Sequence, residues 1–386
     1  MTIENTTDVR NDLRGLVNQI CADFPDEYWR QMDEEKAYPE AFVDTLTTTG
    51  CLGALVPEEY GGLGLGLGDA SVILETINRN GGNAGPVHAQ LYTMGALLRH
   101  GSDEQRAQYL PGIASGELRL QAFGVTEPTA GTDTTSLRTT AVRDGDEYVV
   151  NGQKVFISRV QHSDLMLLLA RTTPLDQVEK KSRGLSLFII DIRELEGLTV
   201  SPLKTMVNHE TNELFFNDMR IPASALIGEE GHGFRYVLDG MNAERILIAA
   251  ECIGDGRWFV DRASKYAGER EVFGRPIGAN QGVQFPIARN YIDVEAADLM
   301  RWKAADLFDG GQPCGAEANM AKLLAADASW KAADTALQTH GGYGVTTEYD
   351  IERKFRETRL YQIAPISTNM ILSFVGQHVL GMPRSF

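Results

Sequence analysis

Three stretches of hydrophobic patterning follow one another along the 386-residue chain. Up to about Leu118, apolar residues recur with the helical period, as at Val72, Ile73 and Ile77. From Gln121 to about residue 228 the period is two, and short apolar runs alternate with turn residues. From residue 231 onward long helical patterns return and predict four helices, at residues 234–266, 281–308, 316–339 and 363–380.

This order of elements predicts an α+β fold in three domains. We expect an N-terminal α-helical domain at residues 1–118, a middle antiparallel β-sheet or β-barrel domain at residues 119–228, and a C-terminal four-helix bundle at residues 229–386. Within the middle domain, residues 139–158 predict two strands and part of a third, with turns at residues 144–145 and 151–152. Strands and helices do not alternate, which argues against a doubly wound Rossmann fold.

Composition narrows the class of partners. The chain has 36 Lys and Arg against 53 Asp and Glu, a net charge of −17, which argues against nucleic acid but leaves a small anionic ligand open. Its four cysteines lie far apart and predict neither a disulfide framework nor a metal site. The polar N-terminus and the absence of a long apolar run lead us to expect a cytoplasmic protein without a membrane span.

Two short motifs in the β region could bind a ligand. Residues 124–133 combine small residues, hydroxyls and a proline, which leaves backbone and hydroxyl donors for a polar ligand, although a capped turn has the same composition. Phe156 lies two residues from Ser158, so both side chains would share one face of a regular strand. A core aromatic with a serine at the strand end is the plainer interpretation.

Three further motifs lie in the helical C-terminal stretch. Residues 270–277, followed by Gln281, place cations beside an aromatic ring, which suits a phosphate or an adenine but also an exposed loop. Residues 338–344 form a glycine-rich helix end, which is also an ordinary C-cap. Residues 242–245 put Glu244 in an apolar helix, where it could be a general base or simply pair with an arginine.

Taken together, these motifs resemble those of the acyl-CoA dehydrogenase family of flavoproteins. The resemblance rests on residues 125–133, 151–158, 270–274, 338–344 and 359–363, in that order. It implies the three-domain fold, FAD as cofactor, an acyl-CoA substrate and an electron-transferring flavoprotein as electron acceptor. It also implies a homo-oligomer, a dimer or more typically a tetramer, because the family binds the adenylate half of FAD across a subunit interface.

The resemblance assigns roles to individual residues of this chain. Those expected to border the flavin are Phe123, Val125, Thr126, Phe156, Ile157 and Ser158, with the Ser158 hydroxyl near flavin N5. Thr132 would serve the flavin pyrophosphate or the CoA arm of the substrate. Those expected to hold the adenylate half of FAD are Arg270, Phe273, Gln281, Gln338, Gly341 and Gly342, with weaker matches at Ser367 and Asn369. Those expected to meet the substrate, besides Thr132, are Met241, Asn242 and Arg245.

The catalytic base follows from a departure from the family pattern. Many members carry a glutamate just after the Tyr-Gln-Ile stretch, but here that slot is Pro365, which cannot abstract a proton. A minority, similar to isovaleryl-CoA dehydrogenase, carry the base on the helix that opens the C-terminal bundle, and Glu244 matches that position. Proline also lacks the backbone N–H that helps polarise the thioester carbonyl at this slot in the family.

The resulting prediction is an FAD-dependent acyl-CoA dehydrogenase that forms a 2,3-enoyl-CoA with Glu244 as the base. One alternative is a related flavoprotein that performs non-dehydrogenation chemistry on a CoA thioester, which the proline at position 365 favours. The other is a non-catalytic flavin-bearing binder of acyl-CoA. Because FAD and CoA both carry phosphates, an acidic chain must gather cations locally, and the candidates are Arg245, Arg270 and Arg275.

Overall fold

The computed structural model describes residues 3–193 and 195–384, with side chains from residue 8 onward. Its N-terminal third is helical, as the hydrophobic period predicts. The helices are α1 (Ile3–Ala22), α2 (Asp26–Glu35), α3 (Glu40–Thr48), α4 (Leu67–Arg79), α5 (Gly85–His100) and α6 (Asp103–Ser115). The start of α6 is set by a capping box in which Ser102 and Gln105 satisfy each other's backbone N–H groups.

A mixed sheet follows, with eight strands in the described residues. They are β1 (Leu120–Gly124), β2 (Thr140–Asp144), β3 (Glu147–Ser158), β4 (Leu165–Arg171), β5 (Leu185–Asp191), β6 (Leu198–Pro202), β7 (Thr211–Pro222) and β8 (Leu226–Ile227). Their order is β6-β7-β3-β2-β4-β5-β8, and β1 lies beside β4. Most neighbours are antiparallel, as predicted, whereas β1 and β2 each pair with β4 in parallel.

Strand β3 corrects one prediction. The turn expected at residues 151–152 is wrong, since β3 continues through Gly152, which adopts a φ of 146° at a shift of register against β7. A Cβ at this glycine would lie 2.6 Å from Thr139 Cα, so the close approach of the backbones requires glycine. The Asn-Gly pair therefore marks a bulge and not a hairpin.

The C-terminal stretch forms long helices around a small hairpin. The elements are α7 (Gly233–Glu269), β9 (Glu271–Val272), β10 (Arg275–Pro276), α8 (Gln281–Asp309), α9 (Gly315–His340), α10 (Ile351–Leu360) and α11 (Thr368–Phe374). The helix predicted at residues 363–380 is wrong at its start, because Ser367 is the N-cap of α11. Pro365, which has no backbone N–H to donate, lies in the break before it.

Helix α10 was missed because its sequence is strongly charged. Six of its ten residues are Arg, Lys or Glu, and yet Arg353 and Lys354 are buried and held by ion pairs. A hydrophobic pattern cannot reveal a helix whose inward side chains are charged.

The described chain divides into two compact units. We call them the helical unit (residues 1–35, 66–84 and 242–386) and the sheet unit (residues 36–65 and 85–241), in each case the described residues only. The three-domain boundaries at 118/119 and 228/229 stay a prediction. Among the described residues, no helix combines the length and the apolar character needed to span a bilayer.

Candidate active site

In the sheet unit, the loop after β1 is fastened to β3. The Val155 backbone N–H donates to the Thr126 carbonyl at 2.9 Å, and the Lys154 Nζ donates to the Val125 carbonyl at 3.0 Å. The two sequence motifs at residues 124–133 and 156–158 are thereby brought to the same end of the sheet. Phe123, at the end of β1, is half-buried beside them.

A buried ion pair underlies this loop. The Lys154 Nζ lies 2.9 Å from Glu127 Oε1, and the same carboxylate accepts backbone N–H bonds from Arg138 at 2.6 Å and Thr139 at 2.9 Å. Burial would raise the pKa of Glu127, but Lys154 and the Arg138 N–H lower it overall. This pair was not predicted, although a lysine flanked by core positions of a strand signals a buried partner.

The Phe156 backbone breaks the regular alternation of β3. Its φ is 61°, the register against β7 shifts between Lys154 and Ile157, and the ring is 65% exposed. The argument that Phe156 and Ser158 share a face, which assumed a regular strand, therefore does not hold here. Ile157 packs into the core of the sheet, while the exposed ring of Phe156 is available to a planar ligand.

The remaining predicted ligand positions of the sheet unit are polar and accessible. Thr126 and Ser158 are half-buried, and Thr132 lies in the exposed part of the loop. A Cβ placed on the neighbouring Gly131 would meet no atom within 4 Å, so the backbone there is open to a ligand.

In the helical unit, Glu244 lies in the most apolar part of α7. Its side chain is 8% exposed, and Ile246, Leu247 and Ile248 in the next turn are buried. Arg245 is only 9% exposed, and its Nη1 donates to Asn242 Oδ1 at 2.9 Å. Burial lowers the pKa of Arg245, and the nearby Glu244 charge opposes that shift.

Burial also changes the set of cations available for phosphates. The sequence predicts Arg245 as a cation for phosphate, but its guanidinium is buried and donates to Asn242. The other two predicted substrate residues of α7, Met241 and Asn242, are half-buried. The exposed candidates are Arg270 and Arg275.

The hairpin after α7 presents the predicted adenylate residues. Phe273 occupies its tip with a φ of 53° and a fully exposed ring, beside the exposed Arg270. Tyr266, whose carbonyl accepts the Arg270 N–H, stacks on His340 with ring centroids 4.2 Å apart. This contact brings the base of the hairpin close to the end of α9, where the exposed predicted residues are Gln338, Gly341 and Gly342.

Three other predicted residues begin helices of the same unit. Gln281 is the first residue of α8, Ser367 is the N-cap of α11, and Asn369 lies in the first turn of α11. Backbone N–H groups at such positions can bind anions.

The segment that holds Pro365 is anchored by a buried lysine. Lys322 Nζ donates to the Tyr361 carbonyl at 2.6 Å and to the Ile366 carbonyl at 3.0 Å, and the Tyr361 hydroxyl donates to Glu251 at 2.8 Å. Pro365 thus lies in a segment fixed at both ends. Between Ile363 and Ser367 no side chain can act as a base.

The donor groups in both units suit FAD. The sheet unit offers hydroxyls and open backbone at residues 126–132 and at Ser158, as the polar edge of a flavin requires. The helical unit offers the exposed guanidinium of Arg270 and the exposed ring of Phe273. The backbone at Gly341 and Gly342 is open, because a Cβ placed on either glycine would meet no atom within 4 Å. These groups match phosphate and adenine chemistry.

Comparison with known proteins covers almost the whole chain. Family models described as the N-terminal, middle and C-terminal domains of acyl-CoA dehydrogenase match residues 7–117, 122–219 and 231–380. The acyl-CoA dehydrogenase fadE12 of Mycobacterium bovis is 37% identical over 382 residues, 98% of this chain and 97% of that protein.

Two solved structures match the fold over nearly the whole chain. Glutaryl-coenzyme A dehydrogenase in complex with glutaryl-CoA is 32% identical with a TM-score of 0.91, covering 100% of this chain and 97% of that chain. A chain described as electron transferring flavoprotein of Acidaminococcus fermentans is 30% identical with a TM-score of 0.91, covering 98% of each. These matches confirm the predicted resemblance and fold. The chain therefore belongs to the acyl-CoA dehydrogenase family, and is an oxidoreductase with FAD as its cofactor.

Proposed function

We propose that this protein oxidises an acyl-CoA to the 2,3-enoyl-CoA, and that Glu244 is the base that removes the α-proton. The observation that carries the proposal is the burial of the Glu244 carboxyl among apolar residues of α7. The slot used by many relatives holds Pro365, so the chain has a candidate base at one family position and none at the other.

Removal of an α-proton from a thioester needs a carboxylate that is shielded from water. The buried surroundings of Glu244 provide that shielding, and Arg245 supplies a positive charge beside it. The bond from Arg245 to Asn242 keeps the guanidinium in place on the same helix face. Bound FAD supplies the acceptor for the β-hydride.

Pro365 supports a second candidate function. Without a backbone N–H, this position cannot donate to a thioester oxygen, and loss of one such donor typically costs about 10²–10³ in rate. A flavoprotein that performs non-dehydrogenation chemistry on a CoA thioester would tolerate that loss. Glu244 favours dehydrogenation over this second function.

The surface of the helical unit supports self-association. Large apolar side chains are exposed on the hairpin and along α8, namely Val272, Phe273, Phe285, Ile292 and Leu299. Exposed apolar groups of this size mark interaction surfaces, which agrees with a homo-oligomer, and the family resemblance favours a tetramer. We also propose an electron-transferring flavoprotein as electron acceptor, because the resemblance to the acyl-CoA dehydrogenase family, to which the chain belongs, implies one.

The test is anaerobic flavin reduction by a panel of straight, branched and aryl acyl-CoAs. The wild type should bleach with at least one of them and release a product two hydrogens lighter. Glu244→Gln should keep the flavin absorbance and lose about 10²–10⁴ in the rate of reduction.

Glu251→Gln is the matched control, because Glu251 is a second buried glutamate on α7 and its glutamine can still accept the Tyr361 hydroxyl. Reduction of Glu244→Gln at the wild-type rate would refute the base. A product formed without flavin reduction would favour the second candidate, and flavin binding without any turnover would favour the non-catalytic binder.

A further inference from the structure

The hydroxyl of Ser158 belongs to a small hydrogen-bonded cluster in the sheet unit. Ser158 ends β3 and pairs with Thr211, the first residue of β7. Asn208 lies just before β7 with a left-handed backbone (φ 54°), and its side chain contacts both hydroxyls. The cluster determines which way the hydrogen of Ser158 points.

The orientation of the Asn208 amide is fixed by an arginine. Arg159 Nη2 lies 3.0 Å from Asn208 Oδ1, and Arg159 is only 9% exposed. A guanidinium can only donate hydrogen bonds, so the amide atom that faces it must be the oxygen. The amide nitrogen must then face the two hydroxyls.

That nitrogen makes Ser158 an acceptor. Asn208 Nδ2 is 2.7 Å from Ser158 Oγ and 3.0 Å from Thr211 Oγ1, so its two hydrogens are both used. The Thr211 hydroxyl donates its own hydrogen to the backbone carbonyl oxygen of Asn208, at 2.6 Å. All the hydrogens of the Asn208 amide and of the Thr211 hydroxyl are therefore already in hydrogen bonds, and the cluster has one arrangement.

The hydrogen of Ser158 has no good acceptor within the described residues. The one candidate in this part of the chain is Thr211 Oγ1, at 3.4 Å, which is long for a bond between hydroxyls. The Ser158 hydroxyl is therefore held as an acceptor toward the protein and is left as a donor toward a ligand.

We propose that Asn208, locked by Arg159, is a positioning residue that makes Ser158 a hydrogen-bond donor to the flavin. The inference rests on the proposed placement of Ser158 at the flavin edge near N5. A fixed donor stabilises N5 when it carries a lone pair, in the oxidised flavin, more than when it carries a hydrogen, in the reduced flavin. Asn208 would thus hold the flavin toward its oxidised form.

The experiment is a double-mutant cycle on the FAD-loaded protein, with Asn208→Leu, Ser158→Ala and the double variant. We measure the midpoint potential against redox dyes and the FAD dissociation constant by flavin fluorescence. In Asn208→Leu the hydroxyl can turn toward Thr211, so the equilibrium should shift toward reduced flavin by up to about tenfold, or ~30 mV for a two-electron couple. In the Ser158→Ala background the same substitution should have no effect.

Two controls keep the result interpretable. Ser158→Thr keeps the hydroxyl and should keep the wild-type potential. Asn208→Asp keeps an oxygen toward Arg159 but offers Ser158 an acceptor, and it replaces Asn208→Leu if the leucine variant does not fold. The part of its shift that depends on Ser158 should also favour reduced flavin.

The measurements distinguish a wrong placement of Ser158 from a wrong role of Asn208. If Ser158→Ala changes neither the potential nor the dissociation constant, Ser158 does not touch the flavin, and both its proposed placement and this inference fail. If Ser158→Ala shifts them but the Asn208 substitutions shift them equally with and without Ser158, only the role of Asn208 is overturned.

Discussion

Two buried lysine–carboxylate pairs, one in each unit, have similar geometry and opposite electrostatics. In the sheet unit Lys154 Nζ lies 2.9 Å from Glu127, and in the helical unit Lys354 Nζ lies 2.6 Å from Asp255. All four side chains are at most 4% exposed. Distance and burial alone would predict the same behaviour for both.

The carboxylates differ in their other partners. Glu127 accepts two backbone N–H bonds besides the lysine, and its pKa lies below the ordinary value. Within the part of the chain that the structure describes, the only donor that faces Asp255 is the Lys354 ammonium, and no backbone N–H reaches its carboxylate. Burial, together with the Glu357 and Glu251 charges, therefore raises the pKa of Asp255 to about 7 against the opposing effect of Lys354.

For the lysines, the charged form is favoured in the other unit, since it is Lys354 and not Lys154 whose pKa is raised. Lys154 has one carboxylate and one carbonyl, and burial lowers its pKa to about 8. Burial also acts to lower the pKa of Lys354, but Asp255 and Glu357 together outweigh it and the pKa is raised. Backbone dipoles thus keep Glu127 charged under the proposed flavin loop, whereas Asp255 depends on one lysine that it shares with Glu357.

Lys354→Met should cause the largest change. At pH 8 it leaves Asp255 and Glu357 without their shared cation, and removal of one partner of a buried pair costs about 3–5 kcal/mol in the free energy of unfolding. Urea denaturation measures it. Lys331→Met is the control, because Lys331 is an exposed lysine 3.8 Å from Asp293.

The loss in Lys354→Met should be smaller at pH 5, where Asp255 can take up a proton. An equal loss at both pH values would show that Asp255 stays charged without the lysine, and the contrast between the two pairs would be wrong.

Lys154→Met should cost less, about 2–3 kcal/mol, because Glu127 keeps its backbone donors. Its effect should concentrate on the loop at residues 125–139, so FAD should bind more weakly than to the wild type. Adding Glu127→Gln should recover part of the stability, since a neutral amide needs no cation. If the double variant is less stable than Lys154→Met, the charge of Glu127 is not the source of the loss.

Much of the fold could be predicted because it follows from local patterns of hydrophobic residues along the chain. The helical and two-residue periods of residues 1–118 and 121–228 reflect which side chains turn inward, and that follows from neighbours in the sequence. The errors fall where a tertiary contact overrides the local signal. Gly152 resembles a turn but fits against Thr139, and α10 resembles a surface loop because its buried residues are charged.

The candidate site was predictable only in part, for the same reason. The motifs around Thr126 and Ser158 are contiguous and could be recognised. Asn208 is 50 residues from Ser158 along the chain, and the contact depends on how β7 pairs with β3. The bulge that exposes Phe156 likewise depends on that pairing.

Asp255→Asn should show its effect mainly in the pH dependence of stability. Because the folded pKa of Asp255 is raised to about 7 from an ordinary value of 3.8, folding takes up a proton between these values. This group therefore stabilises the fold most below about pH 4, and its contribution is lost as the pH rises through 7, by at most about 1.4 kcal/mol per pH unit.

The asparagine variant lacks this titration, while Lys354 keeps Glu357 and the Gly82 carbonyl as partners. The difference in the free energy of unfolding, variant minus wild type, should rise from pH 4 to pH 7 and then level off. Urea titrations at each pH measure it, with Asp293→Asn as the control for a carboxylate that faces an exposed lysine. A flat difference would mean that Asp255 is ionised throughout, so that Lys354 stabilises its charge as fully as the backbone donors stabilise that of Glu127.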